Sequence, residues 1–213
     1  VSGLVTITAS DMLTTYVLPE VVQNLRRKHP GIRIELLPTN EVRDLIRRDA
    51  DIAIRGSSPT QQELIARHIG QTHAQIYASE HYLSQQEPIR KLTDVTNLDF
   101  VGLDEMERFL PTLNSLGLPL TADHFPVTTA SGASLIELVR TGLGASFIPA
   151  HSAAKHPDLK VLLPEIQIPV PIWLVSHREL RTSRRIRIVF DALANHMVEV
   201  LNRPLNHGEL VNT

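Results

Sequence analysis

The sequence of 213 residues contains no cysteine, and aromatic residues make up only 4% of it. The absence of cysteine excludes disulfides, thiolate metal ligands, cysteine nucleophiles and thiol redox sensing. With so few aromatic residues, little suggests a site that stacks against a flat ring. The chain also lacks an apolar run approaching 18 residues and a charged and apolar leader, so we expect a soluble, cytoplasmic protein without a membrane partner.

The sequence also has no large excess of charge of either sign, since the net charge is −2 and the isoelectric point is about 6.6. A chain that itself grips nucleic acid is expected to have a strongly basic face, so this balance argues against DNA binding by this chain. Hydrophobic residues account for 42% of the sequence. That content and length allow a substantial core, in one large domain or two small ones.

Motifs of catalysis and metal binding are also missing from the sequence. We find no nucleophile elbow, no glycine-rich phosphate loop and no paired carboxylates at a turn. The ten histidines include no HExxH pattern, and His151 and His156 are spaced poorly for one helix face. The sequence therefore predicts neither an enzyme nor a metal or other cofactor.

What the sequence does contain is a complete strand, helix and second strand over residues 4 to 37. Residues 4 to 9, LVTITA, alternate with a period of two and are rich in β-branched side chains. Pro19 suits the first turn of a helix, and His29-Pro30-Gly31 ends it. Period two resumes at Ile32. A helix between two such strands predicts the crossover unit of a parallel sheet.

Further strands and helices alternate through the rest of the chain. The predicted strands are 51–55, 74–79, 99–103, 125–130, ASFIP, an extended piece at 161–163 and VPIWLVSH. The predicted helices are 40–50, a loosely amphipathic stretch at 105–117, ASLIELVRT and 184–201. In ASLIELVRT we expect Leu135, Leu138 and Val139 to face inward. This order indicates an α/β protein. Trp173, within an apolar strand, is interpreted as a core or hinge residue.

Seven segments in this order resemble the effector-binding domain of LysR-type transcriptional regulators. They are ITASDMLTTYVLPEVVQNLRRKHPGIRIEL, DLIRRDADIAIR, LIARHIGQ, YASEHYL, TTASGASLIELVRTGLGASFIPAHSA, VPIWLVSH and RRIRIVFDALANHM, which together cover roughly residues 2 to 200. The resemblance implies two Rossmann-like α/β lobes joined by two crossing strands, as in type II periplasmic binding proteins. Lobe I would comprise 1–77 and 176–201, lobe II 78–175, and 202–213 would form a tail.

The same resemblance implies a ligand-sensing and dimerising module of a bacterial regulator. Two copies would pair antiparallel, as a dimer or within a tetramer, with helix 19–29 of one against helix 134–141 of the other. Val22, Leu25 and Leu138 would then serve both core and interface. No winged helix-turn-helix precedes Val1, so we expect specific DNA contact only through that missing domain.

A small-molecule effector would bind, by the same resemblance, in a cleft between the lobes, where the carboxyl ends of strands meet helix starts. The implied effector residues are Ser10, Asp11, Met12, Leu13, Thr39 and Asn40 in lobe I, and Ser131, Gly132, Ala133, Phe147, Ile148 and Pro149 in lobe II. An alternative interpretation makes Ser10, Asn40 and Ser131 simple helix caps. Asp11 would repel an acidic effector, or would only complement a helix dipole.

Two further alternatives remain open from the sequence. The chain is alternatively a free-standing solute-binding protein of the same fold, which would need a leader sequence. The arginines at 178, 181, 184, 185 and 187 form either a solvated surface or a contact for an acidic neighbouring domain or subunit. Direct DNA contact is the interpretation least favoured for them, because a non-specific grip on phosphates needs a broader basic field.

Overall fold

The computed structural model describes residues 1–39, 50–104 and 106–202. Candidate residue Asn40, nearly all of the predicted helix 40–50 and the predicted tail after residue 202 lie outside the described residues. Among the helices described, none combines the length and the apolar character needed to cross a membrane.

The described chain divides into two compact units. Unit 1 contains residues from Val1–Thr72 and from Pro169 onward, and unit 2 is His73–Ile168. The chain passes from one unit to the other within strands at both boundaries. The two units are defined only by which residues pack together. The assignment of residues 1–77 with 176–201 to one regulatory lobe, and of 78–175 to the other, stays a prediction.

Unit 1 is built on a mixed sheet with helices from both ends of the chain. Its elements are strands β1 (Gly3–Ala9), β2 (Ile32–Pro38), β3 (Ile52–Arg55) and most of β9 (Ile168–His177), with the start of β4 (Leu64–Ser79), and helices α1 (Asp11–Tyr16), α2 (Leu18–Lys28) and α7 (Arg184–Asn202). Strand β1 pairs in parallel with both β2 and β3, and β9 is antiparallel to β3. The predicted crossover unit is therefore confirmed, with Pro19 in the first turn of α2.

The core of unit 1 joins residues from the first and last parts of the chain. Val5, Ile7 and Ala9 of β1 are fully buried, and the apolar side of α7 packs in the same cluster. The predicted stripe on the last helix is confirmed at Ile186, Val189, Leu193 and Met197, which are all buried, while Val200 packs partly buried at the margin.

Unit 2 has shorter strands and helices. Its elements are the end of β4, then α3 (Glu80–Leu83), β5 (Val101–Leu103), α4 (Leu110–Ser115), β6 (Val127–Thr129), α5 (Gly132–Arg140), β7 (Ser146–Pro149), α6 (Ala150–Ala153) and β8 (Leu159–Leu162). Strands β5 and β6 are parallel, and β4 pairs antiparallel with β7 and β8. Phe100, which stacks at 5.7 Å on Phe147, lies at the centre of this core.

Three local predictions need correction. Strand β4 begins at Leu64 rather than Ala74, because Gly70 takes a φ of +152° that other residues rarely adopt and lets a polar, partly exposed segment continue the strand. Strand β8 ends at Leu162, since Leu163 has a φ of +47°. On α5 the predicted Leu135 and Val139 are buried, but the third buried large side chain is Ile136, whereas Leu138 is half-buried.

Replacing Gly144 with alanine should lower the free energy of unfolding by about 1–3 kcal/mol. A methyl group there would overlap the backbone carbonyl of Asp99, which also accepts the hydrogen bond of the Ala145 amide at 2.9 Å. Urea denaturation of the variant measures the loss.

Gly56→Ala is the matched control, because the nearest atom to an added methyl is the Pro171 carbonyl oxygen at 3.9 Å. Equal losses in the two variants would show that close backbone approach at Gly144 is not the cause.

Candidate functional site

The candidate residues of unit 1 gather where parallel strands end. Ala9 and Pro38 are register partners at the carboxyl ends of β1 and β2. The Thr39 amide donates to the Ala9 carbonyl at 2.8 Å. Because Ser10 follows Ala9 directly, the structure brings Thr39 beside the segment from Ser10 to Leu13.

Ser10 caps α1, as the helix-cap interpretation requires. Its Oγ accepts a hydrogen bond from the Leu13 amide at 3.3 Å, and its carbonyl accepts one from the Thr14 amide at 2.9 Å. The Asp11 carboxylate accepts from the Met12 amide at 2.9 Å. Asp11 therefore lies in the first turn of α1, where its charge complements the helix dipole.

The candidate residues of unit 1 differ in the solvent exposure of their side chains. Met12 is 7% exposed and Leu13 packs partly buried against the core of unit 1. Ser10, Asp11 and Thr39 are half-buried. The polar members can thus face a bound molecule, whereas Met12 chiefly contributes to the core.

Arg55 is a polar residue at this edge that the sequence analysis missed. It ends β3, and its guanidinium Nη2 donates at 3.0 Å to Oγ1 of Thr8, which is fully buried in β1. Because β3 and β1 are parallel, Arg55 brings a positive charge to the same carboxyl edge as Ser10. The sequence signal that could have identified Arg55 is its position as the charged last residue of an otherwise apolar strand, IAIR.

In unit 2 the parallel pair of β5 and β6 ends in a similar way. Leu103 and Thr129 are register partners, and the Asp104 amide donates to the Thr129 carbonyl at 2.9 Å. The Ser131 amide donates to Thr129 Oγ1 at 3.1 Å, and Ser131 Oγ caps α5 by accepting from the Ser134 amide at 3.1 Å. Asp104, exposed beside this cap, was also missed from sequence.

The remaining candidates of unit 2 are mostly part of its core. Gly132 is buried and Ala133 half-buried at the start of α5. Ile148 is fully buried in β7, and Phe147 is half-buried in its stack on Phe100. Pro149, at the end of β7, is half-buried. The side chains of Ala133 and Pro149 are therefore accessible to a small molecule, whereas that of Ile148 is not.

Three buried polar side chains of unit 2 lie on strand β4 and helix α6. Tyr77 Oη donates to Gln75 Oε1 at 3.4 Å, and Gln75 Nε2 donates to the Pro164 carbonyl at 3.1 Å. Burial raises the pKa of Tyr77 to about 12. Burial, helped by the nearby Lys155 charge, lowers the pKa of His151 to about 4. Both side chains are consequently neutral at pH 7.

A comparison with protein families decides the class of the molecule. The family model described as "LysR substrate binding domain" matches residues 1–198. This chain belongs to the LysR substrate-binding domain family. The expected resemblance is thereby confirmed, and the LysR-type family consists of transcriptional regulators rather than enzymes.

Curated relatives of this LysR domain are distant in sequence but match nearly all of it. The HTH-type transcriptional activator AaeR of Escherichia coli is 22% identical over 207 residues, which cover 93% of this chain and 66% of the relative. The HTH-type transcriptional regulator CrgA of Neisseria meningitidis is 22% identical over 203 residues, covering 92% and 67%. The chain thus spans about two thirds of the length of these regulators.

Solved structures establish the fold of this LysR domain. The CrgA regulatory domain from Neisseria meningitidis aligns with a TM-score of 0.80 at 21% identity, covering 94% of this chain and 100% of that one. The full-length virulence activator AphB of Vibrio cholerae aligns with a TM-score of 0.75 at 22% identity, covering 92% and 69%. The predicted α/β fold of the type II periplasmic-binding-protein kind is confirmed.

The pKa of His151 predicts acid sensitivity of the fold. Because the folded pKa of about 4 lies below the ordinary 6.5, the unfolded chain takes up a proton that the folded chain does not. The contribution is complete above pH 6.5 and falls between pH 6.5 and 4, by about 3 kcal/mol in total. His151→Gln should flatten the curve of unfolding free energy against pH in that window, as urea titrations at several pH values can show.

His81→Gln, at an exposed histidine of α3, is the control and should retain the wild-type curve. A His151→Gln variant that loses stability with acid as steeply as wild type would contradict the assignment.

Proposed function

We propose that this chain is the ligand-sensing and dimerising domain of a cytoplasmic LysR-type transcriptional regulator, with each unit contributing half of a site for a small-molecule effector. The observation that supports this most is that both units place a capping serine within two residues of the end of a strand of a parallel pair, Ser10 after β1 and Ser131 after β6. DNA would be bound specifically by a separate helix-turn-helix domain, as the names of AaeR and CrgA suggest for those regulators.

The proposed half-site of unit 1 carries both signs of charge. Asp11 offers a carboxylate, Arg55 a guanidinium, and Ser10 and Thr39 hydroxyl groups, all at the carboxyl edge of β1, β2 and β3. A purely anionic effector would be attracted by Arg55 and repelled by Asp11. This half-site therefore favours an effector that has a hydrogen-bond donor or a positive group as well as an acid.

The proposed half-site of unit 2 is less charged. It consists of the Ser131 hydroxyl, the first turn of α5 with Gly132 and Ala133, and Pro149 at the end of β7. The amide end of a helix favours the negative part of a ligand. The exposed Asp104 carboxylate beside this cap would repel an acidic group, so this half-site also favours an effector that has hydrogen-bond donors as well as an acid.

A free-standing solute-binding protein of the same fold is the alternative function. The named relatives favour the regulator, because AaeR and CrgA are both described as transcriptional regulators.

A thermal-shift screen against small polar metabolites tests the effector site. A compound that binds only the folded protein raises the melting temperature by mass action. We expect at least one compound to do so for wild type, and expect Ser10→Ala and Ser131→Ala to lose most of that shift.

Ser79→Ala is a matched control, since Ser79 caps α3 by accepting from the Tyr82 amide at 3.2 Å and belongs to neither half-site. Loss of a cap costs about 1 kcal/mol in all three variants, so only the ligand-induced shift distinguishes them. A shift that survives in Ser10→Ala and Ser131→Ala would contradict these half-sites.

Sedimentation velocity tests the proposed dimer. Val22 on α2 and Leu138 on α5 are half-buried and remain available to a partner, whereas Leu25, at 3% exposure, belongs to the core of unit 1. We expect wild type to sediment as a dimer. The double variant Val22→Lys, Leu138→Lys should raise the dissociation constant of the dimer about 100-fold, because the interface would then bury four charges, two from each copy.

Val198→Lys changes an exposed apolar residue of α7 outside the proposed interface and should leave the dimer intact. A wild-type monomer at high concentration would disprove dimerisation by this domain.

A further inference from the structure

Seven basic residues lie where the strands of unit 1 begin, at the edge opposite the candidate effector residues. They come from the last turn of α2, the start of β2 and the first turn of α7, and we call them the basic surface: Arg26, Arg27, Lys28, Arg33, Arg184, Arg185 and Arg187. The α2 and α7 groups are separated by about 155 positions in sequence, so the sequence presents them as unrelated clusters.

Backbone contacts bring the groups together at the start of β1. The Arg185 guanidinium Nε donates to the Leu4 carbonyl at 3.2 Å. Arg33 is the register partner of Leu4 in β2. Arg26 donates from α2 to the carbonyls of Pro30 and Ile32, which precede and begin β2. Three arginines from three elements therefore surround the first residues of two adjacent strands.

No acidic side chain of the described residues forms an ion pair with the basic surface. Within the described ranges of the chain, none of the seven cations lies within 4.0 Å of a carboxylate oxygen. Arg140 in unit 2, by contrast, pairs with Asp158 at 2.8 Å and Glu137 at 2.9 Å. Seven cations on one surface repel one another, and an anionic partner that covers them would relieve this repulsion.

The charge of the whole chain conceals this arrangement. Residues 1–72 with 169–202 contain 14 Lys and Arg against 11 Asp and Glu, whereas residues 73–168 contain 6 against 11. The net charges are therefore +3 and −5. A net charge of −2 for the chain reflects opposite charges on the two units and does not exclude a local polyanion-binding surface.

We propose that the basic surface binds the phosphate backbone of duplex DNA without reading its sequence. Cations spread over three elements match a repeating row of phosphates better than one small anion, and arginine pairs with phosphate oxygens in two-pronged geometry. An acidic protein surface is the competing partner, although three carboxylates of unit 2, Glu137, Asp158 and Glu80, already pair with cations of their own unit. Such a contact would supplement specific binding by another domain and does not depend on the effector site.

The test is fluorescence polarisation of the 213-residue chain with a labelled 25-base-pair duplex of random sequence, from 20 to 200 mM salt. We expect weak binding that weakens steeply with salt. The triple variant Lys28→Gln, Arg33→Gln, Arg187→Gln should bind at least 10-fold more weakly at 20 mM salt. Its slope of log affinity against log salt should be shallower by about 2–3, since each lost phosphate contact removes about 0.9.

The matched control is Arg67→Gln, Arg90→Gln, Lys155→Gln, which removes the same charge from exposed positions elsewhere. It should retain the affinity within about twofold, and thermal melting should show both triples folded. No wild-type binding at 20 mM salt, or equal losses in both triples, would overturn the proposal. It would also fail if the Lys28, Arg33, Arg187 triple changed only the sedimentation of the chain, because the surface would then contact protein.

Discussion

The parallel pairing of β1 with strands on both sides is the constraint on which unit 1 depends. Seven residues of β1 are in register with β2, and Ile7 and Thr8 are in register with β3. This pairing aligns the carboxyl ends, so that Ser10, Thr39 and Arg55 share one edge, and aligns the amino ends, so that Arg33 and Arg185 share the other. Two chemically different edges thus follow from one register.

Both sides of β1 are buried, which explains its composition. Val5, Ile7 and Ala9 face the cluster that includes α2 and α7, while Thr6 and Thr8 on the other side are also buried and bind Glu35 and Arg55 through their hydroxyls. Threonine is β-branched and suits a strand, yet its hydroxyl needs a partner when buried. The two threonines tie polar residues of the neighbouring strands to the centre of the sheet.

Much of the fold was predictable because its signals are local. Alternation in LVTITA, proline at the start of α2 and serine before α5 act within a few residues, and the elements they predict are present. The ordered set of segments added the family and hence the fold. Strand β4 was predicted too short because its first half is polar and contains glycine, so its pairing in the sheet, rather than its composition, makes it extended.

The site was less predictable because position in space decides it. Ser10 and Ser131 were found from cap patterns, but burial withdraws Ile148 from solvent, and burial depends on packing between distant segments. Arg55 and Asp104 reach the strand ends through register. The effector residues as a set stay a prediction. The sequence and the structure of each unit define two half-sites, and neither contains a bound molecule.

The core of unit 1 also has a consequence for synthesis of the protein. Val5 and Ile7 leave the ribosome early, whereas Ile186, Leu193 and Met197, which cover the same core, are made more than 170 residues later. At roughly 5–20 residues per second, the first strands wait on the order of ten seconds or more for their covering helix. Unit 2, continuous in sequence from His73 to Ile168, can fold during that interval. The discontinuous unit is therefore the one whose apolar strands are exposed to chaperones and to aggregation while the chain is being made.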